Sequence, residues 1–118
     1  MGAELNIAFV TSEVRPFAAT GGLGDVASAL PKALRQQGHH VRLIMPAYAM
    51  VAEQGYELEE VPGLGQPITV PNLGEVDVKM ATLPDSGVQV YLLDALTYDF
   101  YRRTRDRAGL YGWPDDAR

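Results

Sequence analysis

Ala19-Thr20-Gly21-Gly22-Leu23-Gly24-Asp25-Val26 is a glycine-rich loop that runs directly into a helical pattern. Gly21, Gly22 and Gly24 let the backbone take positive φ and come close to a ligand, because no Cβ stands in the way. With a helix starting at about Leu23, the first unpaired N–H groups point back at the loop, and the positive end of the helix dipole lies behind them. That arrangement suits a phosphate. A glycine-rich turn also serves as a plain tight connection, and spacing alone leaves both readings open.

Working outward, Leu5-Asn6-Ile7-Ala8-Phe9-Val10 upstream is a short, mostly apolar run of the kind that forms a buried parallel strand. Thr11 to Ala19 make a longer connection than a βα turn requires, and Pro16 forbids continuing a central strand through it. Downstream, Leu23, Val26, Ala29, Leu30, Ala33 and Leu34 recur at helical spacing, with Gly38 as a natural stop. Pro31 removes the hydrogen bond to the Ala27 carbonyl and is expected to bend or split the helix, at roughly 3 kcal/mol unless packing compensates. Val41-Arg42-Leu43-Ile44-Met45 reads as a second strand ended by Pro46. The order β, loop, α, β is the right-handed crossover unit of a parallel sheet, so the fold class is α/β and Rossmann-like.

Beyond it, Ala47 to Gly55 reads as a helical turn, and residues 56–61 and 68–70 as short strands among Pro62, Gly63, Gly65, Pro67 and Pro71. Val76, Val78 and Met80 alternate with Asp77 and Lys79, a half-buried strand. Pro84-Asp85-Ser86-Gly87 turns the chain into another strand, Val88 to Leu93. From Asp94 the pattern weakens: Tyr98, Phe100 and Tyr101 stand beside Arg102, Arg103, Arg105 and Arg107, read as a solvated helix face or, more sharply, a phosphate contact. No closing strand or helix follows, so the sheet is expected to be incomplete, with a poorly covered face that favours self-association into a homo-oligomer.

The 118 residues fit a single domain with one core, and 47% hydrophobic with 21% charged residues describe a globular chain. A net charge of −5 argues against broad binding to nucleic acid or an anionic membrane. The absence of cysteine excludes disulfides, thiolate metal sites and a cysteine nucleophile. The apolar start is too short to span a membrane and has no cationic segment before it, so no signal peptide is read and a cytoplasmic location is expected.

Gly22-Leu23-Gly24-Asp25-Val26-Ala27 matches the dinucleotide pattern G-x-G-x-x-A literally. The context does not fit it. Thr11 to Thr20 separate the first glycines from the strand, and Met45-Pro46 stands where an acid should hold a ribose. Glu13 and Asp25 flank the loop: they read as acceptors for sugar hydroxyls, or as a loop-surface residue and a helix cap respectively. His39 and His40 read as solvated turn residues. No Ser/His/Asp arrangement and no metal spacing is visible, so no catalytic residue, metal or cofactor is assigned.

Val10-Thr11-Ser12-Glu13-Val14-Arg15-Pro16-Phe17-Ala18-Ala19-Thr20-Gly21-Gly22-Leu23-Gly24-Asp25-Val26, followed by Ala29-Leu30-Pro31-Lys32-Ala33-Leu34 and Gly38-His39, resembles the amino-terminal end of bacterial glycogen synthases and plant starch synthases. Tyr91-Leu92-Leu93-Asp94 and Gly109-Leu110-Tyr111-Gly112 resemble later stations of the same family in the same order. The resemblance implies a retaining glycosyltransferase of the two-domain GT-B type, moving glucose from ADP-glucose to the non-reducing end of an α-1,4-glucan without a required metal. It also implies that the loop Thr20, Gly21, Gly22, Leu23, Gly24 lies against the nucleotide-sugar phosphates in the cleft between two Rossmann-like domains, with Glu13 and Asp25 near donor and acceptor. Pro31 belongs to the first helix of that family.

Two departures stand out. The family's loop opens with a lysine where this chain has Ala19, and losing that charge should weaken a charge-assisted contact by roughly 1.5–3 kcal/mol. Family enzymes are also several times longer, so residues 1–118 are expected to form the amino-terminal part of a starch or glycogen synthase catalytic domain, inactive alone. The alternative is a non-catalytic binding or assembly module with the same fold.

Overall fold

The computed structural model describes residues 3–19, 21–48, 51, 53–64, 67–72 and 74–95. The readings made of residues 98–107 and 109–112, and of Thr20, lie outside the described residues. The elements run β1 (Asn6–Val10), α1 (Gly22–Gln36), β2 (His40–Pro46), β3 (Glu59–Glu60), β4 (Ile68–Val70), β5 (Gly74–Thr82) and β6 (Gln89–Ala95). They form one sheet in the order β1-β2-β6-β5-β3, with β4 also on β5.

The expected crossover unit is present: β1 and β2 pair in parallel with Ile7 opposite Val41 and Phe9 opposite Leu43, joined by the single helix α1. β6 continues the parallel set on the other side of β2, Leu43 facing Val90 and Met45 facing Leu92. From there the sheet changes direction. β5 runs antiparallel to β6 through the tight turn Pro84–Gly87, where Gly87 has φ +74, and β3 and β4 lie antiparallel on the outer edge of β5. The sheet is therefore mixed, a parallel core with an antiparallel extension. The stretch expected as a strand over residues 56–61 pairs only at Glu59 and Glu60.

The core sits on the α1 side. Leu43, Met45, Val90 and Leu92 are fully buried beneath Ala27 of α1, Val14 and Phe17 of the connecting loop, and Tyr48 and Val51 after β2. Because successive strand residues point to opposite faces, Val76 and Val78 lie on the reverse face, in a small cluster with Val61, Leu64, Val70, Tyr91 and Leu93. Along β1 and β2 that reverse face is thinly covered, and Val10 is 74% exposed.

One expectation is corrected. β1 is not a buried strand: among the described residues it is the sheet edge, with Asn6, Ala8 and Val10 exposed and only Ile7 and Phe9 partly covered. The stripe of Val26, Ala29, Leu30, Ala33 and Leu34 lies in a helix as its spacing predicts, but it is not the buried face of α1. Val26 and Leu30 are exposed with Leu23, and the buried residues are Gly24, Ala27 and Pro31. Small residues let the helix lie close to the chain beneath it, and a close approach buries them ahead of larger neighbours. Pro31 stays within an unbroken helix, its ring on the buried side where packing offsets the missing hydrogen bond. The helix ends as expected, with Gly38 at φ +94.

Candidate functional site

The connection from β1 to α1 is fastened along its length. Thr11 N–H donates to the Ile44 carbonyl at 3.0 Å, carrying the β1–β2 pairing one residue past the strand. The Thr11 hydroxyl donates to the Glu13 carbonyl at 2.8 Å and accepts from the Glu13 N–H at 3.3 Å, folding the chain back. Val14 and Ala18 exchange two backbone bonds of 2.9 Å each around the cis Arg15–Pro16 peptide. This closes a small loop whose Phe17 is fully buried edge-on against Tyr56, with ring centroids 4.7 Å apart. From outside the loop, the Tyr48 hydroxyl donates to the Ser12 carbonyl at 2.8 Å and Gln54 Nε2 donates to the Phe17 carbonyl at 2.7 Å.

This fastened connection meets the first turn of α1 at three points. Arg15 N–H donates to the Gly24 carbonyl at 3.1 Å, Gly24 N–H donates to Glu13 Oε1 at 3.0 Å, and Arg15 Nε pairs with Asp25 Oδ1 at 2.5 Å. Gly24 has to be glycine here: a Cβ would run into the Ala19 methyl and stand 3.3 Å from Glu13 Oε1. A Cβ on Gly21 or Gly22 would meet nothing within 4 Å, so no packing contact requires glycine at either position.

Glu13, Gly21, Gly22, Leu23, Gly24 and Asp25 are thus gathered at one end of α1, while Thr20 lies outside the described residues. Glu13 is not a surface residue; it is 1% exposed and its carboxylate meets the helix from another segment. Asp25 is exposed and is not the cap. The N-cap is Gly21, which has no side chain to offer, and Asp25 sits in the first turn, where its charge suits the dipole and Arg15 holds it. Arg15, Tyr48 and Gln54 carried no sequence signal for these roles, because each meets its partner only through the folded loop.

The histidines are occupied elsewhere. His39 Nδ1 accepts the Leu5 N–H at 3.1 Å and His40 Nε2 lies 3.1 Å from Glu4 Oε2, which ties the start of the chain to the α1–β2 turn. Among the described residues no group of acids and histidines is placed to hold a metal, and no helix is long and apolar enough to cross a membrane. At the far end of the sheet, Asp94 on β6 faces Asp77 on β5. Partial burial, and secondarily the Asp77 charge, push the Asp94 carboxyl above the usual aspartate range. Lys79 is moved upward, chiefly by its hydrogen bond to Glu60.

A family model for the starch synthase catalytic domain matches residues 6–118. The chain belongs to that family. Members similar to it include the glycogen synthase of Moorella thermoacetica, 41% identical over 99% of this chain, and that of Burkholderia thailandensis, 44% identical over 92% of it. Among solved starch synthases, the catalytic domain of starch synthase IV from Arabidopsis thaliana, bound to ADP and acarbose, superposes with a TM-score of 0.76 at 27% identity over 97% of this chain. The mixed sheet with its helix therefore matches part of a starch synthase catalytic domain. The chain spans about a fifth of these relatives: 22% of the Moorella protein, 19% of the Burkholderia protein and 22% of the Arabidopsis chain.

Proposed function

We propose that this chain is the amino-terminal part of a glucosyltransferase catalytic domain, one that transfers glucose from ADP-glucose to the non-reducing end of an α-1,4-glucan. The stretch 20–25, with Glu13 behind it, forms the wall of the cleft that faces the donor phosphates. The observation that carries this reading is the position of the loop. In a chain of the starch synthase family, it lies past the carboxyl end of β1 and opens α1, where open α/β sheets take their ligands. The relative solved with ADP and acarbose, a nucleotide and a sugar, adds support.

Donor binding is tested by titrating the chain with ADP-glucose and following its backbone amide signals beside those of Ala19→Lys. Shifts confined to residues 20–26 and stronger in the lysine variant are expected; no shift in either protein overturns the donor loop. The chain alone should transfer no glucose to glycogen, and clear turnover would contradict its being one part of the catalytic unit. We place this chemistry in the cytoplasm without nucleic-acid or membrane partners, consistent with the net charge of −5. The thinly covered sheet face around Val10 supports self-association, which light scattering at high concentration tests; a monomer there argues against it.

A further inference from the structure

Among the described residues, the large apolar side chains that stand exposed are Leu5, Val10, Leu23, Val26, Leu30 and Ile68. Leu5 precedes β1, Val10 ends it and Ile68 begins β4, whereas Leu23, Val26 and Leu30 share one line of α1. Ala33 continues that line and is exposed too. Steps of three, four and three residues are those of a seam along which two helices pack side by side. The seam is open because α1 lies on the core by another side, that of Gly24, Ala27 and Pro31.

We propose that α1 is a dimerisation surface, on which Leu23, Val26, Leu30 and Ala33 pack antiparallel against the same seam of a second copy of this chain. With the sheet-face reading above it shares only self-association. In the antiparallel pair Val26 meets Leu30 of the second copy and Leu23 meets its Ala33, so each layer joins a larger side chain to a smaller one. A parallel pair would set leucine on leucine and leave Ala33 opposite Ala33. Charge selects the same direction. Asp25 stands in the first turn of α1, with Lys32 and Arg35 towards its end, so the antiparallel pair brings Asp25 level with Lys32 of the second copy and opposes the helix dipoles. Arg15 already holds Asp25, and Asp85 holds Lys32 at 2.7 Å, so these charges set orientation rather than strength. A seam of three turns makes a small contact, and the dimer is a weak, reversible one.

The test is sedimentation equilibrium of the chain from about 10 µM to about 1 mM, the range in which weak contacts form, with Leu30→Glu and Val10→Glu run beside it. A dimer is expected that Leu30→Glu weakens at least about tenfold, by setting a charge into the seam, and that Val10→Glu leaves intact. A monomer throughout overturns the seam and the sheet face together. A dimer lost in Val10→Glu and kept in Leu30→Glu overturns the seam and leaves the sheet face standing. Amide signals of the unaltered chain need no variant to fold: on concentration they should move at residues 26, 29, 30 and 33, and movement confined to residues 6–10 overturns the seam. Direction is read by cross-linking. The chain has no cysteine, so Val26→Cys and Leu30→Cys each carry a single thiol. Oxidised together in air, they should give crossed disulfide beyond the share of random pairing; random pairing, or an excess of like pairs, overturns the antiparallel arrangement.

Discussion

Two stripes run along α1, one residue out of step. Leu23, Val26 and Leu30 form one and Gly24, Ala27 and Pro31 the other, with the same helical spacing. The first is the more hydrophobic and lies exposed; the second is made of small residues and is buried. The difference teaches that a helix pressed closely onto a fastened loop and a sheet is chosen for low bulk on its contact side. A periodicity of large apolar residues then marks a different surface.

The sharpest way to break the comparison is to put bulk into the small stripe. Gly24→Leu sets a side chain against Ala19 and Glu13 and should remove about 3 kcal/mol of stability, read as a lower urea midpoint with an unchanged slope. An unchanged midpoint would mean that the loop is not pressed on the helix. Glu13→Ala comes next: Gly24 N–H loses its carboxylate, and a loss of about 2 kcal/mol is expected on the same scale.

Away from the helix, Asp94→Asn should stabilise the chain at neutral pH by less than about 1 kcal/mol, since it relieves a like-charge cross-strand pair. The sign follows from the raised carboxyl. The folded state holds the Asp94 proton more tightly than the unfolded chain, so stability falls as pH rises from the ordinary aspartate value through the folded one. That fall should be absent in the variant when thermal midpoints are compared across the acid range. Smallest of all, Val26→Gln and Leu30→Gln should shift the urea midpoint by no more than about 0.5 kcal/mol in the monomer. A larger loss in the monomer would show that the outer stripe is packed after all.

Much of the fold was legible in local pattern. Alternation at Val76 and Val78, and the apolar runs in β1, β2 and β6, announce strands wherever they end up. The order of strands was not legible, because β6 closes a local hairpin with β5 but also pairs with β2, far away in the chain. Nor was the edge position of β1, since an apolar run says nothing about how many neighbours it will have. At the candidate site the glycine loop was plain. The burial of Glu13 was not, because the amide that receives it belongs to Gly24, eleven residues later and on another element. Arg15 likewise acquires its partner only after the connecting loop has closed.

The place of β6 has a consequence for the order in which the molecule is made. Leu43 and Met45 of β2 meet Val90 and Leu92, so the β1–α1–β2 unit leaves the ribosome before the strand that completes its core exists. The nascent chain must carry an open parallel edge until residues 89–95 emerge, and long-range pairing of this kind is slow. The β5–β6 hairpin, closed by a short turn, assembles locally and then docks as one piece. A ribosome stalled before Gln89 would hold β2 with one edge unpaired and its core lacking Val90 and Leu92, a natural client for a chaperone.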